Sequence, residues 1–449
     1  MEQTLLLAFL LGVGSLLILI LVFKINAFLS LLISSIVVGI SSGMELMKVV
    51  DTVISGMSST LGFVATIVGL GAIFGALLEY SGATEKLAHK MLSFTGEEKA
   101  PIALSLAGFF IAIPVFFDVA FIILVPVIYA LQKKTGKSLL IYAIPLLASL
   151  AVTHAFIPPT PGPIAVADII GADLGWIIFY GFIVGLPTAI IAGILWGNFI
   201  GKKIHVSIPA EMEAVQSDRL EGKGPGAWTI IAIILFPIVL ILFNTVNNGL
   251  YPDLFHEDVL KTMAFLGHPI VALLITTLIC IVYLRTKYDV GLDKLQELSM
   301  KSLGPAGIII LITGAGGVFK TMLTESGAGA LLAEKVSSMA ISPIILSFIL
   351  ALIVRLMQGS ATVAMITAAG IMGTILSSTM SPQELSLIVL SIAAGASGFS
   401  HVNDSGFWLV NRYLGINEVT TLKTWTAMTG ILSITALIII LIINSIISF

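Results

Sequence analysis

Long apolar runs, each close to the length that crosses a lipid bilayer, follow one another along most of this 449-residue chain. A hydrocarbon core about 30 Å thick is crossed by roughly 20 residues of α-helix. The chain is 57% hydrophobic and 10% charged, and one globular core cannot bury that much apolar surface. The sequence therefore predicts an all-α polytopic membrane protein. The runs are residues 4–22, 26–43, 60–78, 101–131, 138–167, 174–200, 227–243, 263–284, 304–323, 343–376, 385–410 and 424–447.

Two of these runs are too long for one helix and too short for two complete spans. Residues 101–131 are interrupted at Pro114–Asp118, and residues 343–376 are interrupted at Arg355–Ser360. Non-helical backbone at membrane depth is tolerated only where it is buried in protein or lines a cavity. Each run is therefore predicted to be a re-entrant hairpin of two half-membrane helices.

Two further runs are single spans with a break. The string IPPTPGP at 157–163 interrupts residues 138–167, and GFSHVNDSG at 398–406 interrupts residues 385–410. Proline lacks the backbone donor that a helix needs and glycine weakens the helix, so backbone groups lose their helical partners at both points. We expect two helical segments separated by an irregular stretch in each run.

The chain also resembles itself, because three blocks recur in the same order at offsets of 242 to 245 residues. This order indicates a duplication. Each half holds five spans and one hairpin, and an odd number of crossings turns the second half upside down. The sequence predicts two inverted-topology repeats, residues 1–200 and 227–449, joined by a linker at 201–226. The matched blocks are 69–83 with 314–328, 101–105 with 343–347, and 160–162 with 404–406.

Basic residues predict the orientation of the chain. If both termini lie outside, most Lys and Arg residues of the loops fall inside, and only Lys48, Lys261 and Lys335 fall outside. Such an excess marks the cytoplasmic side, so periplasmic termini and a cytoplasmic linker are predicted. Amphipathic segments at 87–92 and 331–339 predict two short helices, either in the membrane interface or in ordinary loops.

Several functions are disfavoured by what the sequence lacks. A formal net charge of −3 offers no basic surface for nucleic acid. The lone Cys280 cannot form an intramolecular disulfide. There is no HExxH or GxSxG motif, and the His and Asp residues lack metal-ligand spacing, so neither an enzyme nor a bound cofactor is predicted. Residues 4–22 lack the flanks of a signal peptide and are predicted to be a retained helix.

Two charged residues lie near the predicted middle of the membrane, Asp118 in the first hairpin and Arg355 in the second. A charge at this depth costs at least about 2.5 to 3.5 kcal/mol, so it faces a partner or a water-filled cavity. We interpret both residues as functional. For Arg355, two alternatives stay open: snorkelling to the outer surface, or a structural ion pair with Asp118 or Asp404. Lys320 lies near the outer end of its span, where it can snorkel.

The hairpin tips and the helix breaks expose backbone N–H groups, and such helix N-termini attract anions. One cation surrounded by hydroxyl and amide groups suits a small hydroxylated carboxylate. For Ser360, Thr362 and Thr160 the alternative is a hydrogen bond to a helix carbonyl. The residues predicted to bind substrate are Arg355, Ser360, Thr362, Thr160, Gly162, Asn403 and Ser405.

Asp118 and Asp404 are predicted to carry the coupling ion, because a low dielectric favours the neutral form of a carboxyl group and so the uptake of a proton. His154 and His401 are predicted to relay protons. The alternative for each histidine is a hydrogen-bonded structural role.

Five strings together resemble the signatures of the gluconate permease (gluconate:proton symporter) family. The resemblance implies proton-driven uptake of gluconate or a related sugar acid across the bacterial inner membrane. Some relatives carry idonate, fructuronate, glycerate or D-serine. The strings are FFDVAFIILVP at 116–126, THAFIPPTPGP at 153–163, GAGGVF at 314–319, QGSATVA at 358–364 and SHVNDSGFW at 400–408.

The layout also resembles the wider ion transporter superfamily, whose dicarboxylate carriers are homodimers that work as elevators. Their hairpin tips carry Ser-Asn-Thr and bind sodium, whereas this chain has FDVA and GSAT, which favours proton coupling. The resemblance implies a homodimer and two kinds of domain. It implies a scaffold of residues 1–79 and 225–323 and a moving transport domain of residues 101–200 and 343–449.

The sequence thus predicts a proton-coupled symporter for gluconate or a related hydroxycarboxylate. A sodium-coupled carrier of dicarboxylates or other organic anions is the first alternative. An anion channel is the second, because a basic residue among helix ends can also form a selectivity site.

Overall fold

The computed structural model describes residues 2–209, 225–250, 257–329, 331, 341–376 and 380–447, and all regular structure in these ranges is helical. The predicted all-α fold is confirmed. Short π-helical turns at Ile190–Leu195 and Leu422–Thr426 precede α10 and α20. The helices are α1 (Glu2–Leu21), α2 (Ala27–Ser41), α3 (Leu46–Tyr80), α4 (Ala83–Thr95), α5 (Ala100–Ile111), α6 (Phe117–Thr135), α7 (Leu140–Phe156), α8 (Pro161–Ile170), α9 (Leu174–Ala189), α10 (Trp196–Lys203), α11 (Ala227–Leu250), α12 (Glu257–Leu266), α13 (Pro269–Tyr288), α14 (Leu292–Glu325), α15 (Pro343–Gln358), α16 (Ala361–Ile375), α17 (Pro382–Ser397), α18 (Ser405–Leu414), α19 (Glu418–Thr421) and α20 (Ala427–Ile447).

Eight helical segments of the described chain are long and apolar enough to cross a membrane, so the chain is a multi-pass membrane protein. The predicted run 26–43 forms the 15-residue α2, about 22 Å long, which is shorter than the bilayer core. The eight segments are Glu2–Ile20, Leu46–Tyr80, Leu140–Ile170, Leu174–Lys203, Ala227–Val246, Pro269–Tyr288, Leu292–Glu325 and Glu418–Ile447.

The helices α3 and α14, of 35 and 34 residues, are longer than the predicted runs inside them. Each extends about 50 Å, well beyond the thickness of the hydrocarbon core. They pack closely through glycine. A Cβ at Gly317 would lie 2.0 Å from the Thr60 hydroxyl, and a Cβ at Gly56 would lie 2.8 Å from the backbone of Val318. Small residues permit this approach, because packing rather than hydrophobic burial associates helices in lipid.

Both predicted hairpin runs consist of two helices joined by a short non-helical stretch, and their re-entrant path stays a prediction. The first consists of α5 and α6 around residues 112–116, and the second consists of α15 and α16 around Gly359 and Ser360. Both predicted breaks are confirmed: α7 ends at Phe156 before α8 begins, and α17 ends at Ser397 before α18 begins. The described residues thus contain two hairpin tips and two helix breaks at the predicted positions.

The two broken helices lie in the protein interior. Residues 142–150 of α7 and 386–397 of α17 are buried throughout. Their small polar groups pair internally: the Ser105 and Ser149 hydroxyls are 2.6 Å apart, and Ser391 donates to the Ile344 carbonyl at 2.7 Å. Aliphatic residues such as Val282 on α13 and Ile438 on α20 are exposed, as expected of helix faces that contact lipid.

The first predicted amphipathic segment forms α4, with Leu87 and Ala88 fully buried. Its predicted counterpart at 331–339 lies outside the described residues except for Leu331. Of the predicted linker at 201–226, residues 210–224 also lie outside them.

Candidate functional site

A cavity of about 410 Å³ lies where both hairpin tips meet the end of α7 and the start of α18. This volume is within the range of roughly 300–1,000 Å³ that small-molecule sites occupy. Its lining contains Phe116, Phe117, Asp118, Ala151, His154, Ala155, Arg355, Gln358, Gly359, Ser360, Ala361, Thr362, Ser397, Asn403, Asp404, Ser405, Gly406, Trp425 and Thr429.

The tip of the second hairpin rests on the break between α17 and α18. Gly359 has a φ of +90°, which favours glycine, and a Cβ there would lie 2.2 Å from the Asn403 carbonyl oxygen. The Leu356 carbonyl accepts a hydrogen bond from Asn403 Nδ2 at 2.9 Å and lies 2.8 Å from His401 Nε2. A larger residue at the tip would push hairpin and break apart.

The Arg355 guanidinium joins the same two elements. Its side chain is 5% exposed, and it donates to Asp404 Oδ2 at 2.5 Å and to the Gly359 carbonyl. Asp404 also accepts from the Ser400 hydroxyl, which in turn accepts from Trp425 Nε1 at 2.7 Å. Asp404 also caps α18, accepting from the Gly406 amide at 3.1 Å. Of the alternatives for Arg355, the structure has the ion pair with Asp404.

Asp118 lies in the first turn of α6 and is exposed to the cavity. Within the part of the chain that the structure describes, its carboxylate has no hydrogen-bond or ion-pair partner. Asp118 and Asp404 line the same cavity, where two like charges disfavour each other. The two acidic residues therefore differ, since only Asp404 has a cation beside it.

His154 completes the wall next to Asp118. Its ring lies 6.0 Å from the Phe116 ring. Its Nδ1 atom is buried and has no hydrogen-bond partner among the described residues. The charged residues described in the lining are Asp118, Arg355 and Asp404, so with neutral histidine the cavity carries a net charge of −1.

The structure brings most of the predicted site residues together and places three elsewhere. Thr160 is buried and donates to the Ile157 carbonyl at 2.8 Å, which is the alternative considered for it. Gly162 packs against Met365 of α16. His401 is not among the lining residues, and its Nε2 atom contacts the Leu356 carbonyl oxygen of the second hairpin. The predicted residues that line the cavity are Asp118, His154, Arg355, Ser360, Thr362, Asn403, Asp404 and Ser405.

Other lining residues were not predicted. Gln358 accepts from the Ser360 amide at 2.9 Å and so shapes the tip; its position beside the break in the second hairpin run was the available signal. Phe116 and Phe117 directly precede Asp118. Trp425 and Thr429 lie at the start of the last apolar run, and no local pattern distinguishes them from other residues of that span.

In the described residues, a helical, multi-pass fold surrounds a polar cavity at two hairpin tips and two helix breaks, which is typical of a membrane transporter. Similarity to known proteins identifies the family of this transporter. The sequence profile of the GntP family permeases matches residues 4–447, and the chain belongs to that family. The predicted gluconate permease family is confirmed, and relatives are named as permeases and transporters rather than enzymes.

Three relatives illustrate the range of the family. The chain is 41% identical to the low-affinity gluconate transporter of Escherichia coli K12, over 94% of both chains. It is 37% identical to a gluconate permease of Pseudomonas aeruginosa, over 99% of this chain and 98% of the relative. It is 34% identical to the Gnt-II system L-idonate transporter of E. coli K12, over 97% and 98%.

Among solved structures, the chain is similar to the YdaH transporter of Alcanivorax borkumensis. The TM-score is 0.61 at 15% sequence identity, covering 89% of this chain and 87% of the other. This likeness supports a transporter fold.

Proposed function

We propose that this chain is a proton-coupled symporter that imports gluconate or a related sugar acid across the bacterial inner membrane. The names of relatives that cover nearly the whole chain support gluconate and L-idonate as substrates. Both are small hydroxylated carboxylates, the class that the polar groups of the cavity suit.

The charge of the cavity carries the proposal of proton coupling. With a net charge of −1, the empty cavity already repels an anion, and a bound carboxylate makes the total −2. Charge in a low-dielectric site is costly unless it is paired. One proton returns the total to −1 and two bring it to zero. Anion binding and proton uptake therefore favour each other, which is the linkage that symport requires.

The two carboxylates take different roles in this proposal. Asp404 is the resident counter-ion of Arg355, held at 2.5 Å. Asp118 has no such cation, so it is the first group to be protonated when the anion enters. Arg355 then attracts the substrate carboxylate, for which its Nε–H, unpartnered among the described residues, is a donor. Ser360, Thr362, Asn403 and Ser405 contact the hydroxyl groups of the substrate.

Alternating access follows from the proposed inverted repeats, with residues 1–79 and 225–323 as the scaffold of an elevator. Helix α3 of the proposed scaffold contacts the proposed transport domain through glycines. These contacts support an interface that can move, because few side chains interlock there. A Cβ at Gly71 would lie 3.3 Å from the Pro159 carbonyl oxygen, and a Cβ at Gly75 would lie 2.1 Å from that of Pro114. The homodimer and the periplasmic termini stay predictions from the superfamily resemblance and from the distribution of basic residues.

Purified protein in proteoliposomes tests the proposal. We expect radiolabelled gluconate to accumulate when an inward proton gradient is imposed, and not when a sodium gradient is imposed at equal pH on both sides. Accumulation driven by sodium alone would refute proton coupling. Failure of internal unlabelled gluconate to drive counterflow would indicate a channel, since counterflow requires a carrier.

A further inference from the structure

A second cavity, of about 390 Å³, lies beside the first. It is enclosed by the C-terminal part of α3, the tip of the first hairpin and the N-terminal part of α14. Gly75, Tyr80, Lys294 and Pro305 are among its lining residues. Its volume is also within the range of roughly 300–1,000 Å³ that small-molecule sites occupy.

Phe116 is the one described residue that belongs to the linings of both cavities. It forms the N-cap of α6, at the end of the turn that starts after α5. On one side its ring packs 6.0 Å from the His154 ring, next to Asp118. On the other side, Pro114 and Val115 of the same turn line the second cavity. Phe116 therefore lies at the boundary between the two spaces.

The second cavity lies at the end of α3 that is followed by Lys86 and Lys90, and at the start of α14, which follows Arg285 and Lys287. These basic segments mark the predicted cytoplasmic side. The charged residues of its lining are Glu79, Lys294 and Lys301, and Lys301 and Lys294 also contact Glu297 at 2.5 and 3.3 Å. Pairing of both lysines weakens their hold on an anion, and a passage needs sites that bind weakly enough to release.

We propose that Phe116 is a gate between the substrate cavity and a cytoplasmic exit formed by the second cavity. The inference rests on the proposed function, from which it takes its ligand, a small hydroxylated carboxylate. While the ring lies between the cavities, the substrate stays beside Arg355 and Asp118. When the ring rotates or the hairpin tip moves, the substrate enters the second cavity and passes along α3 and the N-terminal part of α14 towards the cytoplasm.

The single cysteine of the chain makes a direct test of this gate practical. Cys280 is the single cysteine of the sequence and is buried. A Cys280→Ser background therefore has no native thiol. Thr362→Cys then places one reporter thiol in the substrate cavity, on the side of Phe116 away from the exit. The rate of labelling by a membrane-impermeant, negatively charged thiol reagent is measured in inside-out and right-side-out vesicles.

We expect Phe116→Ala to raise the labelling rate from the cytoplasmic face at least tenfold, Phe116→Leu to raise it less, and Phe116→Trp to lower it. Labelling from the opposite face should not change. Phe117→Ala is the matched control, because Phe117 lines only the substrate cavity and packs on Trp425 at 5.5 Å, so cytoplasmic labelling should stay at the parental rate.

Equal cytoplasmic rates for the Leu, Trp and parental proteins would overturn the gate, even if the Ala variant failed to fold. The labelling experiment requires neither gluconate nor a proton gradient, so it is independent of the proteoliposome assay. If the labelling rate depends on the size of residue 116 but uptake does not depend on the proton gradient, the gate is supported and proton coupling is refuted. If uptake depends on the proton gradient but the labelling rate does not depend on residue 116, proton coupling is supported and the gate is refuted.

Discussion

The two helix breaks occupy matched positions in the sequence but face different surroundings. In the first, Thr160 donates to the Ile157 carbonyl, and the neighbouring Pro159 carbonyl faces Gly71 of α3. In the second, the matched residue is Asp404, which binds Arg355 and lines the cavity. One break is a packing surface against a long helix, and the other is part of the candidate binding site.

The hairpin tips differ in a similar way. Asp118 in the first tip matches Ser360 in the second, and both line the cavity. Asp118 presents an unpaired charge among the described residues, whereas Ser360 accepts from the Val363 amide at 3.4 Å as the N-cap of α16. Similar backbone interruptions thus carry different side chains. The polar groups of the site come mainly from the second half, and the first half adds one carboxylate and one histidine.

The largest effect is expected at the ion pair that belongs to the second half alone. Arg355→Ala should lower gluconate uptake at least a hundredfold, because it removes the one cation described in the cavity and leaves the Asp404 carboxylate without a counter-ion. Breaking a buried pair costs about 3–5 kcal/mol, so the thermal stability of the protein in detergent should fall as well. Arg412→Ala, at the exposed end of α18, is the control and should behave like the parent.

A double variant separates binding from structure. Arg355→Ala combined with Asp404→Asn removes both charges, so thermal stability should recover most of the loss while uptake stays abolished. Recovery of uptake together with stability would mean that Arg355 acts only as a structural partner of Asp404. The substrate carboxylate would then need another site.

The next effect concerns the carboxylate of the first tip. Asp118→Asn mimics the protonated acid, so the variant should bind gluconate without a proton and with little dependence on pH. Counterflow exchange should continue, whereas accumulation driven by a proton gradient should be lost. Asp51→Asn, an exposed position near the start of α3, is the matched control. Proton-driven accumulation by Asp118→Asn at the parental level would move the coupling role to Asp404.

Much of this contrast was open to prediction, because it depends on local chemistry. The strings around Pro158 and Pro159 and around Gly398 predicted both helix breaks, since proline and glycine act on the backbone wherever they occur. The cost of a charge in lipid predicted that Asp118 and Arg355 share a polar space. Family membership could be predicted as well, because the resemblance rests on five short strings whose residues are read directly from the sequence.

What could not be predicted depends on tertiary contacts. The sequence left Arg355 with Asp118, Asp404 or the outer surface, and the choice of Asp404 follows from how the second tip rests on the second break. Nothing local indicates that Thr160 faces α3 while Asp404 faces the cavity. The apolar run 60–78 is shorter than α3, because hydropathy detects only the part of a helix within the bilayer. Backbone hydrogen bonds continue the helix beyond that part.

The packing surface of the first half can be tested on α3. In Gly75→Ala the new methyl group would lie 2.1 Å from the Pro114 carbonyl oxygen, which is backbone and cannot rotate away. Overpacking of this kind costs typically 1–3 kcal/mol, so we expect lower thermal stability and several-fold slower uptake. Gly62→Ala on the same helix has no atom within 4 Å of the new methyl group. It should be neutral or stabilising, since alanine favours helix over glycine by about 1 kcal/mol.

Equal behaviour of the two alanine variants would show that the first tip does not bear on α3. A slower Gly75→Ala with unchanged counterflow affinity would place the effect on movement rather than on binding. Uptake rates and thermal unfolding, measured on the same preparations, distinguish these outcomes.

The smallest effect is expected at two threonines, Thr362 in the second half and Thr160 at the helix break of the first half. Thr362→Val removes a hydroxyl that lines the cavity. One hydrogen bond contributes about 0.5–1.5 kcal/mol, so the KM for gluconate should rise roughly two- to tenfold. Thr160→Val removes the hydrogen bond to the Ile157 carbonyl and should lower thermal stability slightly without changing KM. A raised KM in Thr160→Val alone would place the substrate at the first break and reverse the division of roles between the two halves.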